Sequence, residues 1–196
     1  ALKQYSWLDY VLTLFGFIGI SIPDFFLGMI LVFFFALQWK IFPTSGIVTA
    51  GSDFSVVDNL RHVFLPALAL ALVRTSVFMR YTRASVLDVI NNDYVRTARA
   101  KGLKNLPVIS KHILRNALIP VITIIGINLT VLFAGAVIIE TIFQWPGIGM
   151  MFIQAVSGRD SPVIMGYVFI SSIVVLLSNL LTDITYSWAD PRIRYE

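Results

Sequence analysis

Residues 92 to 103, NDYVRTARAKGL, hold the chain's densest set of side chains able to make directed polar contacts. Arg96 and Arg99 each carry a planar guanidinium with five N–H donors, Lys101 adds an ammonium, and Asp93, Tyr94 and Thr97 add acceptors and hydroxyls. This is the chemistry of recognition, charge-assisted hydrogen bonding to another surface, and not of bond making. Cysteine is absent, which excludes thiolate nucleophiles, disulfides and cysteine-held metals. No G-x-x-x-x-G-K-S/T run occurs, and the only lysine beside a glycine, Lys101, precedes it, so the chain has no phosphate-binding loop and does not hydrolyse ATP. No cofactor and no metal is implied.

The elements that must position this run are membrane crossings. Charged residues make up 13% of the 196, against roughly 25% in an average soluble domain, and mean hydropathy is +0.81. Apolar runs approach the roughly 20 residues that cross a bilayer core of about 30 Å. The expected crossings are residues 20–41, 63–81, 117–139 and 163–186, in an all-α helical bundle. Residues 7–17 read as an interfacial or kinked lead-in, with a break at Pro23, where a helix-interior amide is lost. Asp24 then reads as a helix cap, or as a carboxylate on an ion pathway. Residues 42–60 have the composition of an aqueous loop, and Trp145, Pro146, Gly147 and Gly149 mark an interfacial turn ahead of a short helix.

Orientation follows from the cations. Lys3, Arg83, Arg96, Arg99, Lys101, Lys104, Lys111, Arg115, Arg192 and Arg194 fall on one side, whereas Lys40, Arg61 and Arg159 fall on the other. The bias puts the central run and both ends of the sequence in the cytoplasm. Arg80 and Arg83 can snorkel to an interface, whereas Arg74 lies deep enough to need protein or water around it. His62 and His112 then lie on opposite sides and cannot share a metal, so each reads as an interfacial hydrogen-bonding residue. Asp183 and Asn179, one turn apart, read as a structural polar pair serving Arg192 or Arg194. Glu140, at an external helix end, is an interfacial carboxylate or a contact for another protein.

Asn91 or Asn92 can cap a helix with Asp93 in its first turn, and Gly102 can stop it in a left-handed conformation behind Arg99 and Lys101. Tyr94, Val95, Ala98 and Leu103 would give it a small apolar face. Pro107 starts a further helical piece that carries His112 and Arg115 into the third crossing. Two readings stay open on residues alone: a solvated loop resting on anionic headgroups, or a docking helix on which small Ala98 permits close approach. Nucleic acid is excluded as a partner, because topology accounts for the basic residues and no stacking aromatics interleave with them.

The run DYVRTARAKGL, with HILRNALIPVIT after it, resembles the cytoplasmic EAA loop of permease subunits of binding-protein-dependent ABC importers, in the oligopeptide, dipeptide and nickel branch. Further similar stretches follow in order: LRHVFLPALALAL at 60–72, GAVIIETIFQWPGIG at 135–149, RDSPV at 159–163 and NLLTDITYSWADPRIRY at 179–195. The resemblance spans essentially the whole chain, and the PRIRY stretch with the apolar first block is similar to the B type of the two paired permeases. It implies a MetI-like permease domain over residues 1–196, expected to be the C-terminal four crossings of a six-crossing protein.

It also implies a coupling helix seated in a cytosolic ATPase, formed here by Asp93, Tyr94, Arg96, Thr97, Ala98, Arg99, Lys101, Gly102 and Leu103. Where the family has Glu-Ala-Ala six to four residues before the glycine, this chain has Arg96, Thr97 and Ala98. Implied partners are a second permease subunit, cytosolic ABC ATPase subunits, an extracytoplasmic solute-binding protein and the lipid bilayer of the cell membrane. The pathway for peptides would run between the two permeases, with Arg74, Ser76, Asn128 and Thr130 as candidate lining residues. Nickel or glutathione is the alternative cargo. An ion-driven secondary transporter would call for acidic residues at mid-membrane and inverted repeats, which the sequence lacks; a membrane scaffold is the third reading.

Overall fold

A computed structural model of the chain describes the backbone of residues 4–49, 51, 55–133 and 136–189, and their side chains except at 130, 133, 188 and 189. Among the described residues regular structure is entirely helical. Helix α1 is Trp7–Ser21, and α2 is Asp24–Leu31, continuing as π-helical turns over Val32–Gln38. Helix α3, Val56–Ile90, is followed by α4, Asp93–Ala100. Helix α5, Asn105–Pro107, passes through π-helical Val108–Leu114 into α6, Arg115–Phe133. Helices α7, Val137–Ile142, α8, Ile148–Gly158, and α9, Ser161–Ala189, complete the order.

Among the described residues three helical runs are long and apolar enough to cross a membrane, Val56–Ile90, Asn105–Leu129 and Ser161–Ser187, and α1 with α2 make a fourth if that broken pair is one span. The predicted second and fourth crossings lie inside α3 and α9. The predicted first crossing, 20–41, is not one helix. Pro23 has no N–H to donate and steers Ile22 away from helical geometry, so α1 stops at Ser21 and a new helix starts at Asp24. Pro23, not Asp24, occupies the N-cap of α2, with no side-chain cap bond. The predicted third crossing, 117–139, is displaced: its helix starts at Asn105 and ends at Phe133, and Val137–Ile142 is a separate helix. Ile113, Ala117 and Val121 recur every fourth residue on a buried stripe, and the helical piece expected from Pro107 runs through Lys111, His112 and Arg115 into α6.

The chain divides into two compact units. One comprises Ala1–Ile18, Ser76–Leu129 and Leu176–Glu196. Its core gathers Val86, Val89, Val95, Ala98, Val108, Ile113 and Ala117, with Ile90 and Ile109 packed against them. In the same unit Gly126 of α6 lies so close to Thr182 of α9 that a Cβ would collide with its hydroxyl, and Thr123 shares a hydrogen bond with the Tyr186 hydroxyl.

The other unit comprises Gly19–Thr75 and Thr130–Val175, with a core of Leu31, Ala36, Leu65, Ala69, Ile139 and Phe143. Phe42 stacks on Phe64 at 4.5 Å between ring centres. The predicted aqueous loop is fastened here. Thr49 donates through its N–H (2.6 Å) and hydroxyl (2.7 Å) to the Asp58 carboxylate, and the Asn59 amide donates to the Ile47 carbonyl at 3.0 Å. Gly46 N–H reaches the Phe143 carbonyl at 2.9 Å.

Candidate functional site

The basic run forms the predicted helix. Asn92 is its N-cap with extended backbone (φ −70°, ψ 148°), and the Asn92 carbonyl accepts the N–H groups of Val95 (3.0 Å) and Arg96 (3.3 Å). The Asn92 side chain makes no cap bond, and Thr97 Oγ1 donates to the Asp93 carbonyl at 2.9 Å. At the other end Gly102 adopts φ +78°. Its N–H donates to the Arg99 carbonyl at 3.0 Å while Leu103 N–H donates to Ala98 at 3.4 Å, the two crossed bonds of a Schellman stop.

Packing divides the helix into a buried face and a free one. Val95 is 0% exposed and Ala98 5%, both pressed into the core of the first unit. Burying a valine side chain fully contributes about 1.5–3 kcal/mol, so the seat is apolar and firm. Asp93, Tyr94, Arg96, Thr97, Arg99, Lys101, Gly102 and Leu103 are all exposed. The predicted apolar face is therefore split, with Val95 and Ala98 inward and Tyr94 and Leu103 outward. Ala98 is covered by its own chain, so its small size lets the helix approach the core and not an outside partner. Arg96 and Asp93 lie 3.9 Å apart with both side chains largely solvated, a spacing that constrains neither.

Of the candidate lining residues, Arg74 and Thr130 belong to one unit and Ser76 and Asn128 to the other. Ser76 is fully buried, and Asn128, 8% exposed, donates from Nδ2 to the Ile124 carbonyl of its own helix at 2.8 Å. Arg74 is partly buried, and the Thr130 side chain lies outside the described residues. His62 is buried with Nδ1 2.9 Å from the Asp58 carbonyl, the hydrogen-bonding role expected of it. Asp183 and Asn179 are exposed on α9, while Arg192 and Arg194 lie outside the described residues. Among the described residues no three His, Asp or Glu side chains group to hold a metal.

Two polar constructions escape sequence reasoning. Asp9, 8% exposed at the start of α1, takes a two-pronged contact from Arg83 of α3, with Nε to Oδ1 at 3.1 Å and Nη2 to Oδ2 at 2.8 Å. Arg83 is thus a partner in an ion pair and not a cation merely snorkelling. The available signal was a lone carboxylate entering an apolar helix, where it requires a cation.

In the second unit, Glu140 accepts Ala136 N–H through Oε1 (3.2 Å) and Met150 N–H through Oε2 (2.8 Å), and its carbonyl accepts Trp145 N–H at 2.8 Å. Gly147 leaves no room for a Cβ beside that carboxylate, and a Cβ at Gly149 would stand 2.9 Å from Val137 Cα. Glu140 is therefore an internal clasp for the Trp-Pro-Gly turn. The paired glycines after it were the signal.

Residues 1–195 match the family described as binding-protein-dependent transport system inner membrane component. The chain is 46% identical over 195 residues to the oligopeptide transport system permease protein AppB of Bacillus subtilis, covering 100% of this chain and 62% of that one. It is 42% identical over 214 aligned positions to the di/tripeptide transport system permease protein DppB of Pseudomonas aeruginosa, covering 100% of this chain and 64% of that one. Against the dipeptide transport system permease protein DppB of Escherichia coli K12 identity is 38% over 217 positions, covering 100% and 64%. The chain thus spans less than two thirds of the length of these relatives. With the family match covering residues 1–195, the chain belongs to the family of binding-protein-dependent transport system inner membrane components.

Proposed function

We propose that the chain forms half of the translocation pathway of an ATP-driven importer of di- and oligopeptides, with α4 as its contact to a cytosolic ATPase. One observation carries the reading. A short helix is capped at its C-terminus, seated by Val95 and Ala98, and left with Arg96, Arg99 and Lys101 free on the outside. Such a helix has no need of its cations for its own folding, and a partner surface bearing carboxylates or carbonyls can use them.

The sequence holds no phosphate-binding loop, and we assign hydrolysis to partner subunits, with its energy arriving as movement. A partner shifts an equilibrium only through its different affinity for two states. Closure of an ATPase pair would displace α4, and its seat on α3 and on the Val108–Leu114 turns would pass that displacement into α3 and α6. Inward-facing and outward-facing states of a pathway shared with a second permease would then alternate. Arg74, which is partly buried, is the lining candidate we retain for a peptide carboxylate; Ser76 and Asn128 are buried.

The names of the three relatives support peptides as cargo over nickel or glutathione. An extracytoplasmic solute-binding protein completes the system, with α4 and both ends of the sequence on the cytoplasmic side of the membrane. The test is copurification. Arg96→Glu with Arg99→Glu should abolish recovery of the ATPase with the permease while leaving the permease folded and inserted; unchanged recovery would refute the assignment.

A further inference from the structure

The Asp9–Arg83 pair lies beside the α4 seat in the first unit, and its geometry exceeds what a surface contact requires. Asp9 is 8% exposed and receives, besides the Arg83 fork, the Tyr5 N–H at 3.3 Å, while its own N–H donates to Ser6 Oγ at 3.3 Å. The start of α1 is thus folded around the carboxylate. Arg83 is 36% exposed, so the pair is half wet, and its strength comes from the paired N–H to oxygen bonds that only a guanidinium makes.

Arg83 also occupies a particular register. Arg83, Val86 and Ile90 recur at i, i+3 and i+7 of α3, one face of a helix. Val86 belongs to the core that seats α4, and Ile90 packs against that core. The stripe of α3 that holds α4 at its C-terminal end therefore holds α1 one turn earlier.

We infer that Asp9 and Arg83 are positioning residues for energy coupling: the pair fixes α1 to the segment of α3 that carries α4, so that displacement of α4 reaches α1. This inference rests on the reading of α4 as the ATPase contact. Without the pair α4 keeps its seat and its outer face, and ATPase binding survives. What fails is transmission, so hydrolysis continues and transport falls.

The experiment uses the assembled transporter in proteoliposomes, with labelled trialanine as probe, and records uptake, ATP hydrolysis and ATPase recovery together. Asp9→Asn and Arg83→Gln should each cut uptake about tenfold, with hydrolysis and recovery within about twofold of the parent, so that ATP consumed per peptide rises. Arg83→Lys, which keeps the charge and loses the fork, should fall between. The exchanged pair Asp9→Arg with Arg83→Asp should recover most of the uptake, as a direct interaction requires.

Parental uptake in the single variants, or an exchanged pair as poor as either, overturns the inference. So does loss of ATPase recovery in the single variants without rescue, which marks a role in folding alone. The α4 reading fails separately, if charge reversal at Arg96 and Arg99 leaves recovery intact.

Discussion

Glu140 caps a helix to which it does not belong. Its Oε2 accepts the N–H of Met150, the third residue of α8, at 2.8 Å, while Gly147 occupies the N-cap position and has no side chain to do so. An anion at a helix N-terminus satisfies an otherwise orphan donor and meets the positive end of the helix dipole. The carboxylate thus replaces the missing cap from the preceding helix and closes the turn between.

Removing it should loosen α8 and the turn together. Glu140→Ala is expected to cost about 1–2 kcal/mol, as loss of a helix cap does, and Glu140→Gln, which keeps one acceptor oxygen, less than half of that. Thermal unfolding of the detergent-purified protein measures the order; equal stability in all three proteins would exclude the clasp.

Two glycines should fail for different reasons. Gly102 has φ +78° and open space where a Cβ would stand, so Gly102→Ala carries only the backbone cost of about 1 kcal/mol, and Gly102→Asn should be milder. At Gly126 the backbone is helical and the obstacle is Thr182. Gly126→Ala should therefore be the more damaging, and Thr182→Ala should suppress it. Unfolding of the four variants and the double variant separates strain from collision.

The two faces of α4 should separate in the same way. Val95→Ala hollows a side chain that is 0% exposed and should cost about 1–3 kcal/mol, with faster amide exchange along α4. Ala98→Leu overfills the same seat at about 1–3 kcal/mol. Arg99→Ala, on the exposed face, should change stability by less than about 0.5 kcal/mol while weakening ATPase binding. A destabilised Arg99→Ala would mean that the cations serve the fold.

Local signals in the sequence reached far. Pro23 marks its break because a missing N–H acts within one turn. Gly102 marks the helix stop because a left-handed residue behind two cations has few other uses, and the Trp-Pro-Gly turn shows in its own residues. Partners distant in sequence were invisible: Asp9 and Arg83 lie 74 positions apart, and nothing near either names the other. Ala98 falls on the apolar face with Val95 as its spacing predicts, but periodicity does not say whether the same chain or another covers that face. The third crossing is displaced from 117–139 because Lys111, His112 and Arg115 argue for a start beyond them, whereas the helical piece expected from Pro107 runs on into α6 with Ile113 and Ala117 on its buried stripe.

The outer face of α4 is proposed to lie against an ATPase. Because residues 1–196 hold no cysteine, Arg96→Cys adds one reactive thiol to this segment, and Val95→Cys gives a buried control. With a thiol-to-amine crosslinker of about one side-chain length, applied to the assembled transporter, residue 96 should join to the ATPase subunit in a yield that changes when ATP is bound, and residue 95 should not join. No adduct from residue 96 in any nucleotide state, in a complex that still transports, would contradict the account.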